Sequence, residues 1–184
     1  MKRSSQIVMR STVALVLILL LGFTVSCQQQ APLQLPAEQA EEEMKALVEQ
    51  SLEIWNTGNM ALVDELYAPE YVRHEVDLQE DRVGHDSLKA WVTQMRTTYP
   101  DLNVASEEVM VMGDKAVMRW VLTGTNTGPR AGLPPTGKTV RLSGVAITRF
   151  VEGKVVEDWV YYNLAAALTQ LGYTFTPPDV SAPS

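Results

Sequence analysis

The chain has 184 residues, of which 46% are hydrophobic and 20% charged, and its formal net charge is −7 at pH 7. An acidic chain lacks the basic surface that binds a phosphate backbone, so the composition argues against a nucleic-acid partner. The single cysteine, Cys27, excludes a disulfide bond within the chain.

The N-terminal segment 1–26 has the pattern of a secretory signal peptide. Three basic residues precede an apolar run over 13–21. A membrane-spanning helix needs about 20 apolar residues, so this run is too short to span a bilayer comfortably. The run leads to Ser26-Cys27, and a small residue directly before a cysteine resembles the bacterial lipobox. We therefore expect cleavage before Cys27 and attachment of lipid to that residue, with an ordinary signal peptide or an uncleaved anchor as the alternatives.

The segment after the cleavage site predicts how the protein is held. Residues 27–36 are rich in Gln and Pro and predict a tether between the lipid and a folded domain. Loss of the three basic residues of the signal peptide takes the net charge from −7 to −10, so an anionic lipid surface does not attract the mature chain. We expect the lipid on Cys27 to place the protein in the bacterial cell envelope. Because Gln28 is not the aspartate that retains many lipoproteins at the inner membrane, we expect the outer membrane, facing the periplasm, in a bacterium with two membranes.

The next segments have helical periodicity. Apolar residues recur at helical spacing over 37–55, and Gly58 can provide a left-handed cap after that helix. A second, shorter helix is predicted over 61–67, and a third begins at Gly84 and ends before Pro100.

The period then changes from 3.6 to 2, which predicts strands over 109–112, 117–125, 139–150 and 154–162. The Gly- and Pro-rich segment 128–137 predicts a long loop. Helices followed by an antiparallel meander predict an α+β domain with the helices on one face of the sheet. We expect a shared core that contains Leu47, Leu52, Trp55, Leu66, Trp91, Trp120, Val145, Ile147 and Trp159.

Several segments, in this order, carry a resemblance to a known family. Gly-Thr-Asn-Thr-Gly at 124–128 and Pro-Pro-Thr-Gly-Lys at 134–138 precede Arg-Phe-Val-Glu-Gly-Lys-Val-Val-Glu-Asp-Trp at 149–159 and Gln-Leu-Gly at 170–172. With these segments the chain resembles the SnoaL-like polyketide cyclases, also called ester cyclases, of the NTF2-like superfamily. The resemblance implies a cone-shaped, curved antiparallel sheet with helices packed on its concave face and a pocket between them.

The same resemblance sets expectations for organisation. We expect one SnoaL-like domain over 37–172 and a C-terminal tail over 173–184. Pairing of two copies through an open sheet face is common in the superfamily, so a homodimer is compatible with the chain.

The resemblance also implies a reaction, which is the closure of a ring by an intramolecular aldol step without a metal or another cofactor. That step needs a base near the carbon that loses a proton and an acid near the carbonyl oxygen. Asn163 stands where the family has an aspartate, and Asn126 stands where relatives often have a histidine. His74 matches a histidine near the pocket mouth of the family, and it is either a catalytic or contact residue or a structural one.

Alternation along the strands limits which side chains can share the pocket. If Asn163 faces the pocket, Trp159 and Tyr161 face it too, and only one of Arg119 and Trp120 can do so. The predicted ligand-binding residues are Trp91, Arg119, Trp120, Trp159, Tyr161 and Asn163, and the candidate catalytic residues are His74 and Asn163. Glu157 either pairs with an arginine or, in an apolar pocket, acts as a base.

Two functions are consistent with these observations. The first is an envelope lipoprotein that binds a small apolar carbonyl-type ligand, because Asn163 and Asn126 replace the expected acid–base residues. The alternative is an active, cofactor-independent cyclase or isomerase that uses His74 or Glu157. The sequence has no phosphate-binding loop, metal-ligand spacing or nucleophile motif that indicates another enzyme class.

Overall fold

The computed structural model describes residues 37–76, 80–129 and 132–176. The predicted signal peptide, the tether and Cys27 lie outside the described residues, as does most of the predicted C-terminal tail. Within the described part of the chain, no helix is long and apolar enough to cross a membrane.

The helices follow the predicted periodicity. They are α1 (Ala37–Thr57), α2 (Ala61–Leu66), α3 (Gly84–Thr98) and α4 (Leu164–Gln170). Helix α1 ends at Gly58, which has a φ of 77° and donates its N–H to the carbonyl of Ile54. This left-handed cap confirms the predicted stop of the first helix. Helix α4 was not predicted from the sequence.

The strands are β1 (Tyr67–Glu75), β2 (Glu80–Val83), β3 (Asn103–Met112), β4 (Lys115–Thr125), β5 (Thr139–Val151) and β6 (Lys154–Tyr162). They form a curved, unclosed sheet in the order β2-β1-β6-β5-β4-β3. The α+β class is confirmed, but the sheet is mixed because β1 and β6 run parallel. Strand β1 is joined to the rest of the sheet through α3, so no hairpin sets its direction relative to β6.

The helices cover one face of this sheet and bury it. The core takes Val48, Leu52 and Ile54 from α1, Leu88, Val92 and Met95 from α3, and Met118, Trp120, Leu122, Val140, Ala146, Phe150, Val155 and Val160 from β4 to β6. The prediction that Val145, Ile147 and Trp159 belong to the same core is wrong. These residues alternate with the inward residues of β5 and β6 and therefore lie on the opposite face of the sheet.

Two polar side chains fix α1 against the rest of the domain. The Asn56 side chain donates from Nδ2 to the Val104 carbonyl at 2.9 Å and accepts the Val104 N–H at Oδ1 at 2.7 Å. Arg96 of α3 donates to the carbonyls of Trp55 and Asn56, at 2.8 and 2.7 Å. Because the last carbonyls of a helix lack partners within the helix, these bonds satisfy the end of α1 and hold Trp55 over the sheet.

Candidate functional site: an apolar cavity with a buried acid–base cluster

A cavity of about 100 Å³ lies between helices α1 and α3 and the sheet, and we call it the inner cavity. Aromatic rings make up much of its wall, namely Trp55, Tyr67, Trp91, Tyr99, Trp120 and Tyr162. Aliphatic side chains such as Val48, Leu52 and Leu142 complete most of the rest. The wall is therefore mostly apolar, and its charged groups lie where β1 and β6 run side by side.

The charged side chains of the wall are Arg73, Glu75 and Asp158, and Ser51 and Thr148 add hydroxyl groups. Arg73 and Glu75 are two residues apart on β1, so both side chains point to the same face. Asp158 lies directly opposite Arg73 in the parallel register of β1 and β6. The strand pairing thus brings two carboxyl groups and one guanidinium together, and we call this set the carboxyl cluster.

Arg73 connects the two acids of the carboxyl cluster. Its Nε donates to Glu75 Oε1 at 2.6 Å, and its terminal nitrogen lies 3.8 Å from Asp158 Oδ2. The guanidinium also lies 5.0 Å from the centre of the Trp55 ring. One cation beside two carboxyl groups leaves one negative charge uncompensated if both acids ionise, which is unfavourable at a buried site.

Asp158 is the acid that the fold favours in its neutral form. Its side chain is buried, with 5% of the residue exposed, and this burial raises the pKa of the carboxyl group. Arg73, the nearby Thr148 hydroxyl and the hydrogen bond from Tyr71 oppose the shift without cancelling it. The Tyr71 hydroxyl donates to Asp158 Oδ2 at 2.7 Å and fixes the plane of the carboxyl group.

Each acid of the carboxyl cluster has one oxygen that takes no part in these contacts. Glu75 Oε2 and Asp158 Oδ1 are buried and have no hydrogen-bond partner among the described residues. Buried polar atoms are nearly always hydrogen-bonded in folded proteins, so two such oxygens on residues that line one cavity need an explanation. A ligand that supplies or accepts a proton in the inner cavity provides one.

A larger opening, which we call the outer pocket, adjoins the inner cavity. Its volume is about 640 Å³, and its wall includes Arg82, Gln94, Leu133, Pro134, Leu168 and Tyr173. Four residues, Trp91, Tyr99, Leu164 and Ala167, line both the inner cavity and the outer pocket. These four residues form a shared wall between the two spaces.

Two of the predicted ligand-binding residues, Trp91 and Trp120, line the inner cavity. Trp159 and Tyr161 do not, because the inward side chains of β6 are Asp158, Val160 and Tyr162. The prediction that Trp159 and Tyr161 share the pocket is therefore wrong, because the side chains that face the cavity are those of the other parity on β6.

Arg119 also lies away from the inner cavity. It is half exposed and near the carboxylates of Glu107 and Glu108, at 3.4 and 3.7 Å. Trp120 is the inward residue of this pair on β4, which resolves the choice between them that the sequence left open.

Asn163 is exposed and caps helix α4, where its side chain accepts a hydrogen bond from the Ala166 N–H at 2.9 Å. It lines neither the inner cavity nor the outer pocket. Strand β6 ends at Tyr162, so the alternation used to place Asn163 does not extend to it.

His74 lies on the face of the sheet that points away from the inner cavity. Its Nδ1 is 2.7 Å from Asp81 Oδ1, its Nε2 is 3.0 Å from Glu157 Oε1, and its ring stacks on Trp159. Burial opposes a charge on this ring, but the two carboxylates raise its pKa above the ordinary value. Glu157 also pairs with Arg149 at 2.8 Å. His74 and Glu157 thus connect β1, β2, β5 and β6 and do not reach the inner cavity.

Asn126 organises the loop after β4. It is buried, accepts a hydrogen bond from the Thr136 N–H at 2.8 Å and donates to the Gly128 carbonyl at 3.0 Å. It contributes to the wall of the outer pocket. In the described ranges no group of three or more His, Cys, Asp or Glu residues is placed to hold a metal ion.

Arg73, Glu75 and Asp158 were not predicted as site residues from the sequence. One signal was available, since Asp158 has the same alternation as Val160 and Tyr162, and those residues read as core. A carboxyl on the apolar face of a strand is rare without a partner, so the search for that partner would have led to the neighbouring strand.

A curved mixed sheet with helices over one face and a cavity between them is the architecture of the NTF2-like fold. The family model described as SnoaL-like polyketide cyclase matches residues 45–171. The chain therefore belongs to the SnoaL-like polyketide cyclase family. No curated protein matches the chain.

Solved structures share this fold. TsrD from Streptomyces laurentii is 25% identical, with a TM-score of 0.65 over 76% of this chain and 98% of that one. AclR from Streptomyces galilaeus, a candidate hydroxylase, is 28% identical, with a TM-score of 0.64 over 77% of this chain and 88% of that one. A candidate polyketide cyclase from Acidithiobacillus ferrooxidans is 27% identical, with a TM-score of 0.63 over 70% of this chain and 94% of that one.

Proposed function

We propose that the protein is a lipid-anchored enzyme of the bacterial cell envelope that moves a proton on a small apolar carbonyl compound held in the inner cavity. The observation that carries the proposal is the pair of buried oxygens without a hydrogen-bond partner, Glu75 Oε2 and Asp158 Oδ1, in a mostly apolar wall. The anchor is inferred from the signal-peptide pattern and from Cys27.

The two acids have different environments and therefore different roles. Asp158 is the general acid, because burial favours its protonated form, and its free oxygen can donate a hydrogen bond to the carbonyl oxygen of the substrate. Glu75 is the general base, because it pairs directly with Arg73 and keeps Oε2 available to accept a proton. Pairs of carboxyl groups with divergent environments serve as acid and base in many enzymes.

The reaction begins at the carbon next to the carbonyl group. Glu75 accepts a proton from that carbon while Asp158 donates one to the oxygen, and the electron pair of the C–H bond becomes the double bond of an enol. Return of a proton to carbon gives exchange or isomerisation. Attack of the enol carbon on a second carbonyl of the same molecule gives an aldol ring closure, which is the reaction that the family resemblance implies.

A binding role without turnover is the second candidate. The observation that favours it is the 2.6 Å contact between Arg73 and Glu75, which already engages one oxygen of the proposed base. His74 and Glu157, the acid–base candidates predicted from the sequence for an active cyclase, contact each other but line no part of the inner cavity. They therefore support neither the enzymatic role nor the binding role.

The test uses the full chain in detergent and a small ketone, such as cyclohexanone, in D₂O. NMR monitors the exchange of deuterium into the ketone over time. Asp158→Asn and Glu75→Gln should each lower the enzyme-dependent rate by about 10²–10⁴-fold, the usual contribution of a general acid or base. Glu157→Gln is the matched control, since it removes a carboxylate from the opposite face and should leave the rate unchanged. Equal rates in all three variants, or no exchange by the parent protein with saturable ketone binding, would favour the binding role.

The pH profile gives an independent check. The rate should fall as pH rises through the raised pKa of Asp158, because the general acid loses its proton there. A rate that is insensitive to pH above the ordinary range of an aspartate contradicts the assignment.

A further inference from the structure

We propose that the substrate is an elongated, neutral ketone or ester whose carbonyl end lies in the inner cavity and whose apolar chain occupies the outer pocket. This inference rests on the proposed function for the position of the carbonyl group. It adds the substrate class and a specificity-determining residue, Ala167.

The volumes carry the first step. An engineered protein cavity that holds one benzene molecule measures about 150 Å³. The inner cavity, at about 100 Å³, is smaller. The inner cavity can therefore enclose only the carbonyl end of a larger compound. Pockets for whole small molecules measure about 300–1,000 Å³, and the outer pocket, at about 640 Å³, falls in this range.

The shared wall carries the second step. Trp91 is one of its members, and the guanidinium of Arg82 stacks over the Trp91 ring at 3.9 Å from the ring centre. Ala167 of α4 is the smallest of the four side chains in this wall. A chain that passes from one space to the other meets the least bulk at Ala167, so this residue sets which substrates can extend into the outer pocket.

The chemistry of the outer pocket indicates the kind of chain. Leu133, Pro134, Leu168 and Leu171 supply apolar surface. The polar groups in its wall are largely engaged within the protein, since Gln94 bonds to Thr98 and Pro129 and Asn126 bonds to Thr136 and Gly128. Among the described residues of this wall, Arg82 is the charged side chain, and it is stacked on Trp91. These surroundings suit an uncharged aliphatic or lightly functionalised chain.

The experiment measures binding of 2-alkanones from 2-butanone to 2-undecanone to the full chain in detergent. Tryptophan fluorescence reports on binding, because Trp55, Trp91 and Trp120, three of the four tryptophans, line the inner cavity. Affinity should rise by up to about fourfold for each methylene that enters the outer pocket. Ala167→Leu should remove this increase for long ketones.

A second pair of variants keeps the test valid if Ala167→Leu does not fold. Leu133→Ala changes an outer-pocket side chain that is 41% exposed, so the fold tolerates it, and it should reduce the gain in affinity per methylene. Val151→Ala is the matched control, because Val151 is 46% exposed and lies in neither wall. It should leave the whole series unchanged.

The outcomes separate this inference from the proposed function. An affinity that does not depend on chain length, or a dependence that Ala167→Leu and Leu133→Ala leave intact, overturns the extended substrate. So does a complete lack of binding across the series. A chain-length dependence that the variants abolish, together with deuterium exchange that Asp158→Asn does not affect, supports the extended ligand and overturns the proposed acid–base role.

Discussion

Substitution of Gly144 by alanine tests how closely Trp120, which lines the inner cavity, packs on strand β5. Gly144 on β5 is the register partner of Trp120 on β4, and the indole ring lies over the glycine. A Cβ atom at Gly144 would overlap the Cζ2 atom of Trp120 and would lie 2.5 Å from the carbonyl oxygen of Tyr161. The carbonyl belongs to the neighbouring strand and cannot move freely, so the ring must shift into the inner cavity or the strands must separate.

The expected loss of stability follows from this overlap. Overpacking of a well-packed core costs about 1–3 kcal/mol, which is a sizeable part of a domain stability of about 5–15 kcal/mol. For a domain of this size the melting temperature should fall by about 3–15 °C. Because Trp120 lines the cavity, ligand affinity should fall as well.

Thermal and urea unfolding measure the effect, and two further variants identify its cause. Ser143→Ala changes the adjacent, exposed residue and should stay within about 0.5 kcal/mol of the parent protein. The double variant Gly144→Ala/Trp120→Phe lacks the ring carbon that meets the new Cβ, so part of the loss should be recovered as a coupling energy. A Gly144→Ala protein that melts with the parent, or a double variant without recovery, would refute this account of the packing.

Three further predictions concern single interactions. Tyr71→Phe leaves Asp158 Oδ2 without its 2.7 Å donor, so urea unfolding should show a loss of stability of about 1–3 kcal/mol. Because the Tyr71 hydrogen bond lowers the pKa of Asp158, its loss should also extend ketone exchange to higher pH. The raised pKa of His74 contributes stability that is complete below its ordinary value of 6.5 and is lost as pH rises through the folded value. His74→Gln should therefore flatten the pH dependence of urea unfolding in that window, and an unchanged profile would assign it to other groups. Cys27→Ser should abolish metabolic labelling with a fatty acid, and a variant that is still labelled would exclude Cys27 as the lipid site.

Helices α1, α2 and α3 could be predicted from the sequence because their burial follows helical periodicity. Helix α1 presents Val48 and Leu52 to the sheet, and Gly58 closes it, so periodicity and capping agree. The sequence did not predict β1, because Arg73 and Glu75 occupy inward positions where alternation normally places apolar residues. The residues proposed as the general base and its arginine partner thus obscure the alternation by which β1 would have been recognised.

The faces of β5 and β6 were assigned incorrectly for a different reason. Val145, Ile147 and Trp159 on the outward face are as apolar as Val140, Ala146 and other inward residues, so alternation of hydrophobicity cannot tell the two faces apart. For β6 the choice of the pocket face depended on the assumption that Asn163 faces the pocket, which its position after the end of β6 invalidates.

Substitutions of Asn163 distinguish a helix cap from a missing catalytic base. As the cap of α4, the Asn163 side chain accepts the Ala166 N–H, and aspartate can accept the same bond while adding a charge that the helix N-terminus favours. Asn163→Asp should therefore leave stability unchanged or raise it by a few tenths of a kcal/mol, whereas Asn163→Ala should cost about 1 kcal/mol.

The effect of these two variants on ligands follows from what α4 carries. Leu164 and Ala167 on this helix belong to the shared wall of the two spaces, so the loss of the cap in Asn163→Ala should weaken the binding of long ketones more than that of 2-butanone. Asn163→Asp should change neither binding nor deuterium exchange, because the new carboxylate is exposed and outside the inner cavity. An increase in the exchange rate of Asn163→Asp, measured beside Asp158→Asn as the inactive reference, would place residue 163 in the active site and would contradict the assignment of the carboxyl cluster.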